Sequence, residues 1–561
     1  MKAPQDSAPT SLTDKAKIIV EPARPAKHLP YTFLAALALP AITFFFGLGR
    51  LALVGPDEPR YAEVAREMFA TGDYISPRLC GCLWFEKPVL LYWMSAASYR
   101  LFGVSEFAAR APSALAATAT VIFVYGVARR FASRGAASAS ALVLATSAIF
   151  IAYARVAIPD MALTAAMSVA LLSGYASRFS GGRARTGYWS LTFAAMGLAM
   201  LAKGLVGIAL VIAILVIYFA VIGELKMIRW KEWLAGLAIF MAVAAVWYVP
   251  VIARHGREFV EEFFVRHHFE RYVANTFGHP QPFYFFLVVA AAGVAPWTFF
   301  LLPAIARLRR LAPRDSKQDA LLAFAWIWAA VPLLFFSFSG SKLPGYVLPI
   351  FPALAIIVGT EVEQFCRGER GRLLKASAWM TALTLVIIGI AFIFYAGGLP
   401  VDVSGWLLVL YCLPLAIASA SVFLLARGWS FTASAASVVL SVVVATVILL
   451  FPKLNDEKSL KSLSLQAAAA LRPGERIAFF IRKEFAPVFY AEGRVVCGVG
   501  DMDVFNALRE DILAAALENE ASLVVITNSN WRAGLESYPR FNTEFIAGQG
   551  EALAFRVSLK R

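Results

Sequence analysis

Charged residues are scarce in this chain. Asp, Glu, Lys and Arg make up 16% of its 561 residues, whereas about 25% is usual for a soluble globular protein. Hydrophobic residues make up 60%, and several apolar runs reach the roughly 20 residues that cross a bilayer as a helix. The shortage of charge excludes an ordinary soluble protein and predicts an α-helical polytopic membrane protein.

Cysteine is also rare, with five residues in the whole chain. A zinc site of the usual spacing needs a second cysteine pair, and the chain has no such pair beside Cys80 and Cys82. These two cysteines therefore do not predict a zinc site. Cys366 and Cys412 lie in or beside apolar segments, where cysteine acts as a packing residue. A disulfide from the Cys80–Cys82 pair to Cys497 is left open.

No secretory cleavage signal is recognisable, because about thirty polar residues precede the first apolar stretch. We expect residues 1–30 to be a disordered cytoplasmic tail and residues 31–452 to form a transmembrane domain with about thirteen helices. The thirteen apolar segments are 31–51, 107–128, 136–154, 160–177, 188–202, 204–222, 234–253, 283–305, 319–339, 346–364, 376–395, 404–425 and 431–451.

The formal net charge of +15 is unevenly distributed among the loops. Every even-numbered loop is basic, from the one that holds Arg129 and Arg130 to the one that holds Arg427. The positive-inside rule requires this of cytoplasmic loops, and it explains the charge more economically than nucleic-acid binding does. The alternation predicts a cytoplasmic N-terminus and, after an odd number of spans, a C-terminal part on the opposite side.

From about residue 453 the composition becomes that of a soluble protein. A helix is predicted at 503–518. Short strands are predicted at 475–481, 488–490, 494–499, 522–527 and 552–559. These elements predict a small α/β domain over residues 453–561, outside the cytoplasm.

The odd-numbered loops carry acids, bases and aromatic residues to the opposite membrane face. The first loop, residues 52–106, holds two polar stretches at 55–63 and 84–88, and the loop 254–282 holds a third. Ionisable residues at membrane depth are costly and indicate function by default. The candidates are Asp57, Glu58, Arg60, Tyr61, Glu63, Glu86, Lys87, Arg155, Asp160, Lys203, His267, His268, Arg271, Lys342 and Tyr346.

Two of these loops are expected to contain helices that lie on the membrane surface. One covers 58–70, with Asp57 as its cap, and the other covers 257–273. In the first helix, Asp57, Arg60 and Tyr61 share one face because they are three and four residues apart.

The mixture of residue types indicates a kind of chemistry. Lys, Arg and Tyr side chains together are suited to a phosphate or pyrophosphate group. Carboxylates beside them are suited to a general base, a sugar-hydroxyl contact or a metal. Transfer of a sugar from a lipid-linked sugar phosphate would use both sets.

Several motifs, in order along the chain, resemble those of the bacterial aminoarabinose transferases that modify lipid A. The resemblance covers residues 31 to about 365 well and the rest of the chain in outline. The motifs are Asp-Glu-Pro-Arg-Tyr-Ala-Glu at 57–63, Phe-Glu-Lys-Pro at 85–88, Pro159-Asp160, Leu-Ala-Lys-Gly at 201–204, His268-x-x-Arg271 and Lys-Leu-Pro-x-Tyr at 342–346.

That family belongs to a wider group of membrane glycosyltransferases with the so-called C-type fold. The group includes protein O-mannosyltransferases and lipopolysaccharide galacturonic acid transferases. The resemblance implies thirteen membrane helices, a periplasmic active site and a periplasmic C-terminal domain. It also implies an inverting enzyme of the bacterial inner membrane. The donor would be undecaprenyl phosphate carrying 4-amino-4-deoxy-L-arabinose or a similar sugar, with no nucleotide, and the acceptor lipid A or a related envelope glycolipid.

Carried over by motif, the functional residues fall into four sets. The catalytic carboxylates implied are Asp57 and Asp160. The residues implied around the donor phosphate are Arg60, Lys87, Arg271 and Tyr346. The implied ligands of a divalent metal, zinc in the family, are Glu86 and His268, although two protein ligands are few for zinc. The supporting residues are Glu58, Tyr61, Lys203 and Lys342.

The chain departs from the family pattern at Cys80 and Cys82, so we expect the loop features that select the sugar to differ. Several candidates also have ordinary structural explanations. Asp57 and Asp160 precede predicted helices and could simply be helix caps. Lys203 could simply terminate a helix. Glu86 could simply pair with a neighbouring base.

Two other functions are left open by the sequence. One is the same chemistry with a protein Ser or Thr as acceptor. The other is a transporter or flippase for a lipid phosphate, which predicts ionisable residues at the midplane of the spans. The crowding of such residues at one face favours an enzyme over a transporter.

Overall fold

The computed structural model describes residues 38–227, 229–263, 281–313, 316–369, 371–397, 406–480, 485–496, 510–518 and 520–560. The first described element is a short π-helix, Ala41–Phe45. The helices that follow, up to the end of the apolar part, are α1 (Asp57–Thr71), α2 (Leu90–Phe102), α3 (Glu106–Phe131), α4 (Arg134–Thr146), α5 (Ala148–Ala154), α6 (Asp160–Ser177), α7 (Gly182–Lys203), α8 (Leu205–Val221), α9 (Trp230–Val260), α10 (Phe285–Gly293), α11 (Leu301–Leu308), α12 (Lys317–Ser337), α13 (Phe351–Cys366), α14 (Arg372–Gly397), α15 (Trp406–Phe423) and α16 (Gly428–Ala445).

Among the described residues, six helices are long and apolar enough to cross a membrane, or up to eight if two bent pairs each count as one span. The six are Glu106–Phe131, Trp230–Phe263, Lys317–Ser337, Pro344–Cys366, Arg372–Tyr395 and Gly428–Asn455. The bent pairs are α4 with α5, at 63°, and α10 with Thr298–Leu308, at 112°. The chain is therefore an α-helical multi-pass membrane protein.

The predicted count of thirteen spans is not confirmed by this criterion, although each predicted segment from 107 onward coincides with a helix or a bent pair. The α6 helix shows why the two counts differ. Almost all of its residues are buried against other helices. Its composition is therefore determined by packing against those helices more than by contact with lipid. A helix in that position can carry more small and polar residues than one that faces lipid.

Small residues allow the helices to approach closely. An added Cβ at Gly359 of α13 would come within 2.5 Å of the Ser140 backbone nitrogen in α4, so these two helices pack almost backbone to backbone. In the same way α6 lies along α7. This second pairing brings the start of α6 and the end of α7 to the same membrane face.

The first loop contains a small antiparallel hairpin, β1 (Arg78–Leu79) and β2 (Cys82–Leu83). The C-terminal region, residues 453–561, contains a four-stranded sheet in the order β3-β4-β6-β5. The β3 strand is parallel to β4, and the other two pairings are antiparallel. Its elements, with the helix that leads into it, are α17 (Phe451–Lys458), α18 (Lys461–Ala469), β3 (Ile477–Phe479), α19 (Ala486–Tyr490), α20 (Glu510–Glu518), β4 (Leu523–Asn528), α21 (Arg532–Ser537), β5 (Phe541–Gln549) and β6 (Ala552–Leu559).

Two local predictions for this region and the first loop are wrong, and one strand was not predicted. The segment 488–490 is helical, as part of α19, because Pro487 occupies its first turn and the helix packs against α1. The β5 strand was not predicted, since it is only partly buried and has few apolar residues. Asp57 is the first residue of α1, and Pro56 holds the cap position.

Other predicted elements are confirmed in part. The predicted strands 475–481, 522–527 and 552–559 coincide with β3, β4 and β6. Of the strand predicted at 494–499, the described residues form a single bridge, between Val495 and Ile477. The surface helix predicted at 257–273 is described only as far as Phe263, where it continues α9 after a turn at Gly256.

Candidate active site

Asp57 stands at the start of α1, and its side chain is half exposed. Its Oδ1 accepts a hydrogen bond from Arg60 Nη2 at 2.5 Å, across the three-residue spacing that the sequence predicted. Arg60 Nε donates to the Pro56 carbonyl oxygen at 2.8 Å, so the guanidinium is held across the first turn of the helix. The result is an accessible carboxylate with a fixed cation beside it.

Glu86 connects Arg60 to Lys87. Its Oε2 lies 3.6 Å from Arg60 Nη1, and its Oε1 accepts a hydrogen bond from Lys87 Nζ at 2.9 Å. The two polar stretches of the first loop therefore meet, as the resemblance implied. The structural alternative, in which Glu86 pairs with neighbouring basic residues, is also confirmed. Burial lowers the pKa of Arg60, but Glu86, Tyr61 and Asp57 together raise it above its ordinary value, so Arg60 stays charged.

Asp160 and Lys203 form a second polar group. Asp160 begins α6, Lys203 ends α7, and the distance from Lys203 Nζ to Asp160 Oδ1 is 2.6 Å. Lys203 Nζ also lies 5.2 Å from the centre of the Tyr346 ring. Lys203 does end a helix, as the structural explanation proposed, and it also joins two of the predicted site residues.

Tyr153, at the end of α5, lies between the two groups. Both Asp57 and Asp160 are close enough to act electrostatically on its phenol. A Cβ added at Gly345 would come within 2.8 Å of Asp160 Oδ1 and 2.9 Å of Tyr153 Oη. The absence of a side chain at Gly345 therefore lets both polar groups approach the backbone of the short 3-10 helix Pro344–Ile350, which carries Tyr346.

Glu58 faces away from this site into the protein. It forms a two-pronged ion pair with Arg110, with both N–O distances at 2.8 Å and both side chains almost fully buried. Glu58 Oε1 also accepts from the Ala157 backbone nitrogen at 2.8 Å. The remaining Arg110 N–H groups donate to three carbonyl oxygens of residues 48–52. Glu58 thus positions the chain that leads into Asp57.

Three other candidates also have structural contacts. Lys342 is buried, and its Nζ donates to the Ser339 carbonyl oxygen at 2.7 Å. Tyr61 is buried, with its ring 6.1 Å from that of Tyr92. Arg155 donates to two carbonyl oxygens of the first apolar segment. These contacts support the backbone around the site.

Glu63 lies on the other face of α1, toward the C-terminal region. It is fully buried and receives two hydrogen bonds of 2.7 Å from Arg66. Burial raises its pKa to about 7, against the opposing effect of Arg66. A Cβ added at Gly493 would come within 2.5 Å of Glu63 Oε1, so the C-terminal region packs directly on this face.

Two of the predicted site residues, His268 and Arg271, lie outside the described residues, as do His267 and Cys497. Among the residues that the structure describes, no group of three His, Cys, Asp or Glu side chains could hold a metal ion. Of the two predicted ligands they supply Glu86, which is already paired with two cations. The metal site stays a prediction, and we assign no step to it.

Cys82 forms a disulfide bond. Of the other cysteines in the described ranges, Cys80 and Cys412 are free thiols, and Cys366 is not disulfide-bonded. The predicted packing role of Cys366 agrees with its contact with Thr432, at 3.2 Å between Sγ and Oγ1.

Sequence reasoning missed four side chains that shape this site: Arg110, Tyr153, Phe485 and Tyr490. Arg110 carried a usable signal, because an arginine inside a predicted apolar segment must find a partner. Tyr153 stands at the end of a predicted apolar segment, where its composition gives no separate signal. Phe485 and Tyr490 belong to the C-terminal region, and no local pattern connects them to the first loop.

Comparison with known proteins gives matches of three kinds. A sequence model described as dolichyl-phosphate-mannose-protein mannosyltransferase matches residues 86–249. The undecaprenyl phosphate-alpha-4-amino-4-deoxy-L-arabinose arabinosyl transferase of Aeromonas hydrophila is 32% identical over 357 residues, or 62% of this chain and 64% of the relative. The protein of the same name in Shewanella sediminis is 29% identical over 406 residues, 71% of each chain. The match to the Aeromonas protein spans slightly less than two thirds of its length.

The fold is also similar to solved structures. ArnT from Cupriavidus metallidurans, bound to undecaprenyl phosphate, superimposes with a TM-score of 0.77 at 24% identity, over 93% of this chain and 97% of that one. The archaeal oligosaccharyltransferase AglB from Archaeoglobus fulgidus, in complex with an inhibitory peptide and a dolichol-phosphate, gives a TM-score of 0.52 at 12% identity, over 93% and 74%. The predicted resemblance to the aminoarabinose transferases is confirmed, and the ArnT-like fold extends over nearly the whole chain.

Proposed function

We propose that this chain is an inverting glycosyltransferase that depends on a polyprenyl phosphate. It takes 4-amino-4-deoxy-L-arabinose or a similar sugar from undecaprenyl phosphate and places it on lipid A or a related envelope glycolipid. One observation carries the proposal: the half-exposed Asp57 carboxylate is held by Arg60 beside Glu86 and Lys87. The similar ArnT structure, which binds undecaprenyl phosphate, supports it.

The arrangement suggests how transfer proceeds. Arg60 and Lys87 supply positive charge for the phosphate that leaves the sugar, and charge-assisted hydrogen bonds to phosphate are the strong ones. By the resemblance, Arg271 and Tyr346 contribute to the same group. Asp160, neutralised by Lys203, bounds the other side of the site.

The role of Asp57 depends on the acceptor. A phosphate oxygen of lipid A is already anionic, so Asp57 would position groups and stabilise the positive charge that develops on the sugar. A hydroxyl acceptor must lose a proton, and Asp57 would then be the general base.

The same proposal includes a topology. The chain crosses the bacterial inner membrane thirteen times, with residues 1–30 in the cytoplasm. The first loop, residues 52–106, and the loop 254–282 face the periplasm with the active site. Residues 453–561 form a periplasmic α/β domain. The basic even-numbered loops support this orientation.

The second candidate is transfer to Ser or Thr of a protein. The match of residues 86–249 to the mannosyltransferase model favours it. The greater extent of the similarity to the arabinosyl transferases favours the lipid acceptor.

Mass spectrometry of envelope glycolipids from cells with and without this chain tests the function. We expect a mass increase equal to one aminopentose on lipid A only when the chain is present. An increase by a hexose or hexuronic acid would change the sugar but keep the reaction. Unchanged lipids together with glycosylated secreted proteins would favour the protein acceptor. Movement of the lipid across vesicles without a covalent product would instead indicate a transporter.

Replacing Gly345 by alanine should lower the transfer rate by about a hundredfold, because the new methyl group meets Asp160 Oδ1 and Tyr153 Oη below 3.0 Å. A displacement of about 1 Å in a catalytic group has a cost of that size. Transfer assays with the purified full chain would measure it. Gly371→Ala is the matched control, since nothing lies within 4 Å of its added Cβ. Equal rates in the two variants would contradict the prediction.

A further inference from the structure

Three aromatic rings surround the guanidinium group of Arg60. The distances from Arg60 Cζ to the ring centres are 5.0 Å for Phe485, 5.6 Å for Trp84 and 5.9 Å for Tyr61. All three lie within the range in which an aromatic ring attracts a cation. The ring with the shortest distance belongs to the C-terminal region, more than four hundred residues away in sequence.

The element that carries Phe485 is anchored to the segment before Asp57. Phe485 directly precedes α19, which packs against α1. At the other end of α19, Tyr490 Oη accepts a hydrogen bond from the Leu53 backbone nitrogen at 2.9 Å and donates to Glu106 Oε1 at 3.0 Å.

A second anchor lies at the entrance to the C-terminal region. Asn455 Oδ1 accepts from the Ala52 nitrogen at 2.8 Å, and its Nδ2 donates to the Arg50 carbonyl oxygen at 2.6 Å. Lys461 Nζ lies 2.5 Å from Glu106 Oε1. The backbone that leads into Asp57 is therefore held by residues of the C-terminal region as well as by Arg110.

We propose that the C-terminal region completes the candidate active site and that Phe485 is a positioning residue that acts through Arg60. Its ring and that of Trp84 restrict the guanidinium to the orientation in which it contacts Asp57 and faces Glu86. Together with the hydrogen bonds to Pro56 and Asp57, these rings prepare the arginine to bind the donor phosphate before the donor arrives. This inference rests on the proposed function, because it gives Arg60 a phosphate to bind.

In this proposal, two regions of the chain contribute different residues to the site. The residues that contact the reacting groups lie in the transmembrane part, where the similarity to the arabinosyl transferases was recognised. The ring that orients one of them comes from a region where that resemblance holds only in outline. Exchange of this region between related enzymes should therefore alter donor affinity without replacing any catalytic carboxylate.

Phe485→Leu in the full chain tests the role of the ring. We expect the KM for the undecaprenyl-phosphate-linked sugar to rise about 5- to 20-fold, the loss of a partly desolvated cation–ring contact. The kcat and the thermal midpoint should stay near the wild-type values. Phe485→Tyr should restore the KM, because it keeps the aromatic face.

The matched control is Phe545→Leu. Phe545 also lies beside an arginine in the C-terminal region, 5.9 Å from Arg532 Cζ, but it is an exposed residue of β5 whose ring packs against Phe555. We expect no change in KM for this variant. Binding of undecaprenyl phosphate alone, measured for the same four proteins, should show the same order as the KM values.

The outcomes separate the two proposals. If the wild-type chain neither binds undecaprenyl phosphate nor transfers from its sugar conjugate, the proposed function fails, and this role of Phe485 fails with it. If the wild type binds and Phe485→Leu binds equally well, the Phe485 inference alone is overturned. A loss of kcat and thermal midpoint in Phe485→Leu, with an unchanged KM, would show a purely structural residue and overturn it as well.

Discussion

Asp57→Asn should reduce sugar transfer by a factor of about a hundred to ten thousand, the range that covers the loss of an electrostatic stabiliser and the loss of a general base. The change removes the negative charge beside the reacting sugar and leaves the shape of the side chain. Because the Asp57 side chain is half exposed and its partner Arg60 retains Glu86, we expect the thermal midpoint to change little. Transfer and thermal unfolding of the same preparation measure both.

Asp73→Asn is the matched control for this variant. Asp73 lies in the same loop and also pairs with an arginine, at 2.9 Å from Arg254 Nη1, but outside the candidate site. Its replacement should leave the transfer rate within about twofold of the wild-type rate, because an exposed ion pair contributes little. Normal transfer by Asp57→Asn would contradict the assignment of Asp57.

A solvent isotope effect on kcat separates the two roles of Asp57. A general base moves a proton in the transition state, so kcat would be lower in deuterium oxide than in water. An electrostatic stabiliser moves no proton, so kcat would be about the same in the two solvents. Lipid A and a hydroxyl-bearing analogue, compared under the same conditions, would distinguish the two.

Arg110→Met should destabilise the fold by about 3–5 kcal/mol, the cost of leaving one member of a buried ion pair without its partner. Glu58 would remain buried with only backbone N–H donors, and three carbonyl oxygens of residues 48–52 would lose their hydrogen bonds. Unfolding of the detergent-solubilised chain, followed by circular dichroism in increasing denaturant, measures the change.

The double variant Glu58→Gln with Arg110→Met provides the internal control. It removes the uncompensated charge, so its loss of stability should be smaller than the sum of the two single losses. Arg254→Met tests an exposed pair of the same chemistry and should cost no more than about 1 kcal/mol. An Arg110→Met variant as stable as Arg254→Met would show that the buried pair contributes nothing.

The parts of this site that were predicted are those with a local signal. Arg60 and Asp57 were placed together because a helix brings residues three apart onto one face. Asp160 and Lys203 stand at helix ends, where Pro159 and Gly204 mark the boundaries. Their mutual contact, over 43 residues of sequence, was suggested only by the shared membrane face.

Helix patterns predicted where the apolar segments lie, but not how many cross the membrane. A buried helix such as α6 is surrounded by other helices, whereas α14 is exposed on much of its surface. Hydropathy reports the composition of a segment and only indirectly reports what surrounds it. In the C-terminal region, the short segment Ala486–Tyr490 has the composition of a strand. It is helical because it packs on α1 and has a proline in its first turn, so tertiary contacts outweighed propensity.

The sequence by itself determined the class of molecule, a helical multi-pass membrane protein, and the shared helix face of Asp57 and Arg60. Hydrophobic runs and helix spacing are local, and these conclusions follow from them. The proximity of Glu86 and Lys87 to this pair was implied by the family resemblance. Tertiary structure alone decided that Arg110 supports Glu58 over 52 residues and that Tyr490 holds Leu53 over 437. Such contacts depend on how whole helices pack, and no short stretch of sequence records that packing.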